Sequence, residues 1–454
     1  MLRPRETERR MLPWLFLILA VWGAVLVLVS FLPPRKPALL MGIGFFAAWT
    51  TTEMAPLYVV GFIAFITVLI VFGALSTWPG WVALAIAIGS LFWLLTSVRG
   101  ALRTNQVFLD ALREGLGPNW DANLDPALEE AGRHVSWGRV LLPFWFRRRG
   151  VQRVRNIQYV DDGSRRHRLD IYRCKAKREA MPVLLQIHGG GWMISNKDQQ
   201  GKPLQWHLAK RGWVCVAINY RLSPKATWPD HLVDCKRALG WIREHIAEFG
   251  GDPDYVVVTG GSAGGHLTAM MGLTPNDPEY QPGFEDVDTT VRAMMPFYGI
   301  YDWTGAWTDG HKDNGLGEVL EKYIVKQKLA DAPEVFASAS PINRVTPDAP
   351  RTMIAHGELD TLAPIPMARA FAAKMRATSR HEVVYVELKG AHHAYDVYNS
   401  IRTMHSITGV DLFLAWLIRV DPPGPRSPAV SAPAGKTGAV APATDPRPTA
   451  RTEH

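Results

Sequence analysis

From Met11 to Pro34 the chain carries no charged residue, and from Pro37 to Val98 it carries one, Glu53. A stretch this long and this apolar cannot fold with water as its solvent, so it constrains the architecture more than any other feature. Residues 12–32, 56–76 and 79–97 each have the length of a bilayer span. Residues 38–52 are shorter: at 1.5 Å per residue they cover about 22 Å, against a hydrocarbon core of about 30 Å. They are either a short span or a re-entrant segment. A cleavable signal peptide is a poor explanation, because the first run is too long and further apolar runs follow it. Residues 1–100 are therefore expected to be a multi-pass transmembrane helical region of three or four spans.

Basic residues bear on sidedness. Arg3, Arg5, Arg9 and Arg10 precede the first run, while Arg99 and Arg103 follow the last, with seven arginines and no acid between Arg133 and Arg155. The positive-inside rule would keep both ends cytoplasmic and so calls for an even number of spans. Three spans would put the rest of the chain outside, and Arg35 and Lys36 in the first loop also weigh against the rule. The balance leans towards the cytoplasmic face. Residues 101–150 read as a basic juxtamembrane linker. In it, Val140 to Arg149 sets aromatics beside an arginine triplet, which suits either a membrane interface or a linker packed on the next domain. The net charge of +8 reflects this junction. No nucleic-acid motif accompanies it, so nucleic acid is not an expected partner. Residues 421–454, rich in proline and alanine, are expected to be a disordered tail.

Between junction and tail the pattern changes to alternation. Strand-like runs at roughly 155–160, 167–173, 183–187, 214–219, 255–259, 291–297, 351–355 and 382–388 are separated, after the first pair, by helical stretches such as 230–249 and 364–377. This predicts one α/β domain over 151–420, with a mostly parallel sheet, helices on both faces, and a site at the carboxyl ends of the strands.

Two short strings carry the chemistry. Gly260-Gly261-Ser262-Ala263-Gly264 matches G-x-S-x-G and follows the β-branched run Tyr255 to Thr259, so Ser262 falls at a tight strand-to-helix turn. Such a turn is strained at its centre and needs neighbours without side chains. His188-Gly189-Gly190-Gly191-Trp192 follows the run Pro182 to Ile187 and can aim bare N–H groups at an oxygen that becomes negative in acyl transfer. Ala263, at a helix start, offers a further N–H. A glycine turn without chemistry would explain either string alone, but their joint occurrence reads as a serine hydrolase.

A serine hydroxyl needs a base, and the base an orienting carboxylate. Gly390-Ala391-His392-His393-Ala394-Tyr395 follows the last predicted strand, and one of the two adjacent histidines is the candidate base. Asp360 follows the strand at 351–355 and is the candidate acid, with Glu358, Asp302 and Asp396 as rivals. His188 is expected to support the glycine loop, and His266 to pack in a helix. Trp192 could line an acyl pocket or belong to the core.

The chain resembles the hormone-sensitive-lipase-like esterases of the α/β-hydrolase fold. The matching pieces are His188 to Trp192, Asn219-Tyr220-Arg221-Leu222-Ser223-Pro224, Gly251-Asp252-Pro253, Gly261-Ser262-Ala263-Gly264-Gly265-His266, Tyr298-Gly299 with Asp302, His356-Gly357 with Asp360, and Gly390 with His393. They span roughly 155–420. The resemblance implies Ser262 as nucleophile, Asp360 as acid and His393 rather than His392 as base, in that chain order. It also implies an oxyanion hole from Gly190, Gly191 and Ala263, and a cap insertion near 301–343. Tyr395 stands where phenylalanine is more usual.

The implied reaction is cleavage of carboxylic esters through an acyl-enzyme, acting on small-molecule or lipid esters beside a lipid membrane. An acyltransferase using the same serine is the alternative, followed by a catalytically idle membrane scaffold. No metal or other cofactor is expected: H-E-x-x-H and paired C-x-x-C motifs are lacking, and Cys174, Cys215 and Cys235 are scattered.

Overall fold

Alternating β-branched and apolar runs make the strands, and the computed structural model, which describes residues 6–34, 38–176, 178–307 and 315–424, arranges them as one sheet. The strands are β1 (Val151–Gln158), β2 (Arg168–Cys174), β3 (Met181–Ile187), β4 (Val214–Ile218), β5 (Gly251–Gly261), β6 (Ala293–Phe297), β7 (Arg351–Gly357) and β8 (Val383–Leu388). They lie in the order β1-β2-β4-β3-β5-β6-β7-β8. β2 is antiparallel to both β1 and β4, and the other pairings are parallel. The mostly parallel sheet expected from the alternation is present, and every expected strand is found within a few residues of its place.

Fourteen α-helices accompany the strands among the described residues. Four belong to the apolar region: α1 (Glu6–Phe31), α2 (Ala38–Glu53), α3 (Ala55–Val71) and α4 (Trp78–Leu102). The expected linker holds α5 (Thr104–Leu116), α6 (Pro126–Arg133) and α7 (Trp137–Val140). The remainder are α8 (Lys202–Arg211), α9 (Asp230–His245), α10 (Ala263–Leu273), α11 (Leu316–Val319), α12 (Pro333–Ser338), α13 (Ile365–Thr378) and α14 (Ile401–Val420).

Strand alternation sorts the core into two layers. Val183, Leu185 and Ile187 of β3 face one way, towards Leu239 of α9, Leu267 of α10 and Phe371 of α13. Leu184, between them, faces the other way, towards a layer holding Leu208 of α8, Phe108 and Leu112 of α5, and Phe413 of α14. Contact between α5 and α14 is close: a Cβ on Gly409 would overlap the Phe108 ring. Residues 301–307 and 315–343 pack over the first layer, where Trp228 N donates to Ile324 O at 2.9 Å and Leu320, Ile324 and Phe336 join the core. Positions 308–314 of that insertion and the expected tail from 425 onward lie outside the described residues.

In the apolar region α1 and α4 run in the same direction. Trp14 meets Trp78 near their starts, with ring centroids 5.4 Å apart, and Phe31 meets Trp93 farther along, at 5.0 Å. α3 runs oppositely, since its first residue Ala55 packs with Val27 and Leu94 while its later Leu69 packs with Phe16, Ala20 and Ala83. Met11–Phe31 and Trp78–Leu116 are long and apolar enough to cross a membrane; α2 and α3 together make one more candidate, bent by 83°. The bend falls at Met54, between Glu53 and Ala55.

Candidate active site

Ser262 joins β5 to α10 with φ of 61° and ψ of −126°, a conformation costly for a residue with a side chain. The strain persists because the surroundings admit nothing else. A Cβ on Gly260 would stand 2.5 Å from Ile187 O and 2.6 Å from Gly264 O, so the elbow needs glycine there. Ser262 N donates to Phe297 O at 3.0 Å, which ties the turn to the end of β6.

The glycine loop after β3 lies against the serine. A Cβ on Gly189 would be 2.9 Å from Ser262 Cβ, so the two backbones approach as closely as atoms allow. Gly190 and Gly191 hold φ of 105° and 58°. With Ala263, they keep their N–H groups out of the backbone hydrogen bonding of the described residues. His188 braces this loop. Its buried ring stacks on Tyr220 at 4.4 Å, and Nδ1 bonds Gly189 O at 2.7 Å, while Tyr220 donates its hydroxyl to His188 O at 2.9 Å. Burial pushes the His188 imidazole down to about 4, so at neutral pH it is an uncharged support.

Asp360 and His393 meet after β7 and β8. His393 Nδ1 lies 2.7 Å from Asp360 Oδ2, and both side chains are buried. Asp360 Oδ1 accepts the N–H groups of Leu362 and Ala363 at 2.9 and 2.8 Å. Burial alone would raise this carboxyl, but His393 and His356 outweigh it and hold Asp360 well below the usual carboxylate range. It is therefore ionised at neutral pH.

The rivals are occupied elsewhere. Asp302 caps its own turn, accepting from the N–H groups of Thr304, Gly305 and Trp307. Asp396 accepts the Tyr298 hydroxyl at 2.5 Å. Glu358 accepts Gly390 N at 3.0 Å. His392 turns away from Asp360 and bonds Ser30 O at 2.8 Å. His266 packs as expected, its ring 4.6 Å from Trp303 and its Nε2 bonded to Ala339 O at 2.8 Å. Trp192 is buried in the same aromatic cluster, against Trp303 and His266, so it belongs to the core.

Two further side chains touch the candidate site and had no role in the sequence reading. His356 lies 3.4 Å from Asp360 Oδ2 and donates Nε2–H to Ala363 O at 2.8 Å, bracing the carboxylate from its second side. The Tyr298 ring packs edge-on against His393 at 4.8 Å and fills the space where Gly261 lacks a side chain. Their motifs, His356-Gly357 and Tyr298-Gly299, were visible; what they contact was not.

The chain is similar in sequence and fold to known proteins. The BD-FAE family model matches residues 169–375. The probable carboxylic ester hydrolase LipM of Mycobacterium tuberculosis is 41% identical over 358 residues, covering 77% of this chain and 81% of that protein. The chain belongs to the hormone-sensitive-lipase-like α/β-hydrolase esterases. Esterase LipQ of the same organism is 40% identical over 319 residues, covering 69% of this chain and 75% of its own. A truncated carbohydrate esterase from gut microbiota shares the fold, with a TM-score of 0.50 and 23% identity over 58% of this chain and 96% of that one. In this hydrolase the Asn219-Tyr220-Arg221 motif braces the loop by the glycine turn. Asn219 Oδ1 accepts Lys197 N at 2.8 Å, and Arg221 is paired with the buried carboxylate of Asp234.

Proposed function

We propose that this chain is a membrane-anchored carboxylic ester hydrolase with Ser262 as nucleophile, His393 as base and Asp360 as the orienting acid. The observation that carries the reading is the 2.7 Å bond between His393 Nδ1 and Asp360 Oδ2 in a hydrolase whose serine elbow and glycine loop are in contact. With Nδ1–H donated to Asp360, Nε2 is left to accept the Ser262 proton as its oxygen attacks the ester carbonyl. The N–H groups of Gly190, Gly191 and Ala263 receive the developing oxyanion, and each such donor is worth about 2.7–4 kcal/mol of barrier. Collapse breaks the C–O bond, and the proton held by His393 goes to the departing alcohol. Water, deprotonated by the same nitrogen, then attacks the acyl-serine and releases the acid.

The membrane part of the reading takes α1, α3 and α4 as three crossings of alternating direction, with α2 turned 83° away from α3. Outward-facing Trp22, Phe92 and Val71 suit lipid rather than water. Leu141, Leu142, Phe144 and Trp145 add an exposed apolar ledge beside Arg147 and Arg149, a composition suited to the interface. On this reading the parallel α1 and α4 put the start of α1 and the hydrolase on opposite sides, whereas an even number of spans would keep both cytoplasmic.

Detergent-solubilised protein is expected to react with a fluorophosphonate probe and to cleave short-chain p-nitrophenyl esters, both activities vanishing in Ser262→Ala. Ester cleavage persisting in that variant would refute the nucleophile. Acyl transfer to an added alcohol exceeding hydrolysis would favour the acyltransferase instead.

A further inference from the structure

Glu53, the single charge in the apolar stretch from Pro37 to Val98, ends α2 and is almost fully buried. Its carboxylate is paired with Arg402, equally buried, and accepts the Ser400 hydroxyl at 2.7 Å. Both partners lie in the segment that leads from His393 into α14.

The same segment is held at three further points. His392 Nε2–H donates to Ser30 O, at the end of α1, at 2.8 Å. Trp49 Nε1–H, on α2, donates to Ala394 O at 2.9 Å. Tyr398 donates its hydroxyl to Trp49 O at 3.3 Å, with the two rings 5.0 Å apart. The residues before and after His393 are thus each bonded to the apolar region. His393 itself meets the Phe45 ring edge-on at 6.1 Å, and Phe45 stacks on Trp49 at 5.7 Å.

A tether has no need of such contacts. Burying a carboxylate and a guanidinium is costly unless they are paired with good geometry, so the pair holds its two segments in one arrangement or is a net burden. We infer that the end of α1 and α2 are working parts of the active site: they hold the loop that carries His393, and Trp49 is a positioning residue acting through Ala394. The inference rests on the reading of His393 as the base. General-base transfer tolerates little misplacement, and a shift of about 1 Å can cost up to about a hundredfold in rate.

The test uses the full chain in detergent micelles, p-nitrophenyl butyrate as substrate, and rates normalised to the sites labelled at the fluorophosphonate end point. Trp49→Phe keeps an aromatic ring between Phe45 and Tyr398 but removes the N–H. Its kcat per labelled site is expected to fall about tenfold with KM within about twofold. Glu53→Gln, which strands Arg402, should lower kcat at least as far, and adding Arg402→Met should recover most of that loss. Should the Glu53 variants fail to fold, Trp49→Phe alone decides. Wild-type kcat per site in Trp49→Phe, or a loss confined to KM or to the number of labelled sites, would overturn the inference. Ester cleavage surviving in Ser262→Ala would instead overturn the reading of the site on which it rests.

Discussion

Asp360 is held by four groups at once: His393, His356 and the N–H groups of Leu362 and Ala363. That arrangement stabilises the anion and fixes which nitrogen of His393 carries the proton. Asp360→Asn would present an amide to the ring and favour the wrong tautomer. Its kcat is expected to fall by about 10³–10⁴ while fluorophosphonate still labels the protein slowly, as measured by p-nitrophenyl ester turnover per labelled site. Loss of less than tenfold would remove Asp360 from the proposed triad. Ser262 was legible in the sequence because the elbow imposes a local conformational demand that only small neighbours meet. His392 and His393 could not be told apart from the residues themselves. Adjacent side chains in a loop leave in different directions, and the partner that claims His392, Ser30, lies 362 positions away.

At the scale of elements, α5 differs most from its sequence description. The stretch 104–116 falls within the expected basic linker 101–150, yet one face carries Phe108, Ala111 and Leu112 into the core under the sheet. Gly115 lies against β8, where a Cβ would come 2.7 Å from Val383 O. Phe108→Ala should therefore behave as a core truncation, lowering unfolding free energy by about 3–5 kcal/mol in chemical denaturation. A change under about 1 kcal/mol, the range expected of a surface position, would contradict the packing. The eight strands were legible because period-two runs bounded by turn residues are local signals. The helix that covers the last strand was not, since its partner face is assembled only once β8 has joined the sheet. The stretch 38–52 was ambiguous by length alone; the bend at Met54 and the contacts to the His393 loop support the proposed role apart from spanning.

For the whole molecule, the proposed three crossings make a test independent of chemistry. In a background with Cys174 replaced by serine, Thr7→Cys marks the start of α1, and Asp161→Cys marks an exposed turn of the hydrolase. A membrane-impermeant maleimide applied to intact cells is expected to label one of them and not the other. Labelling of both from one side would refute the odd number of crossings. Composition and period alone determined that this chain has an apolar helical region, a parallel sheet and a serine elbow, because each depends on residues adjacent in sequence and on the solvent they can tolerate. Folding in space decided which histidine meets Asp360, where α2 turns, and what neutralises Glu53. Those outcomes depend on groups separated by 33 to 362 positions, which become neighbours only when sheet and helices close around one loop.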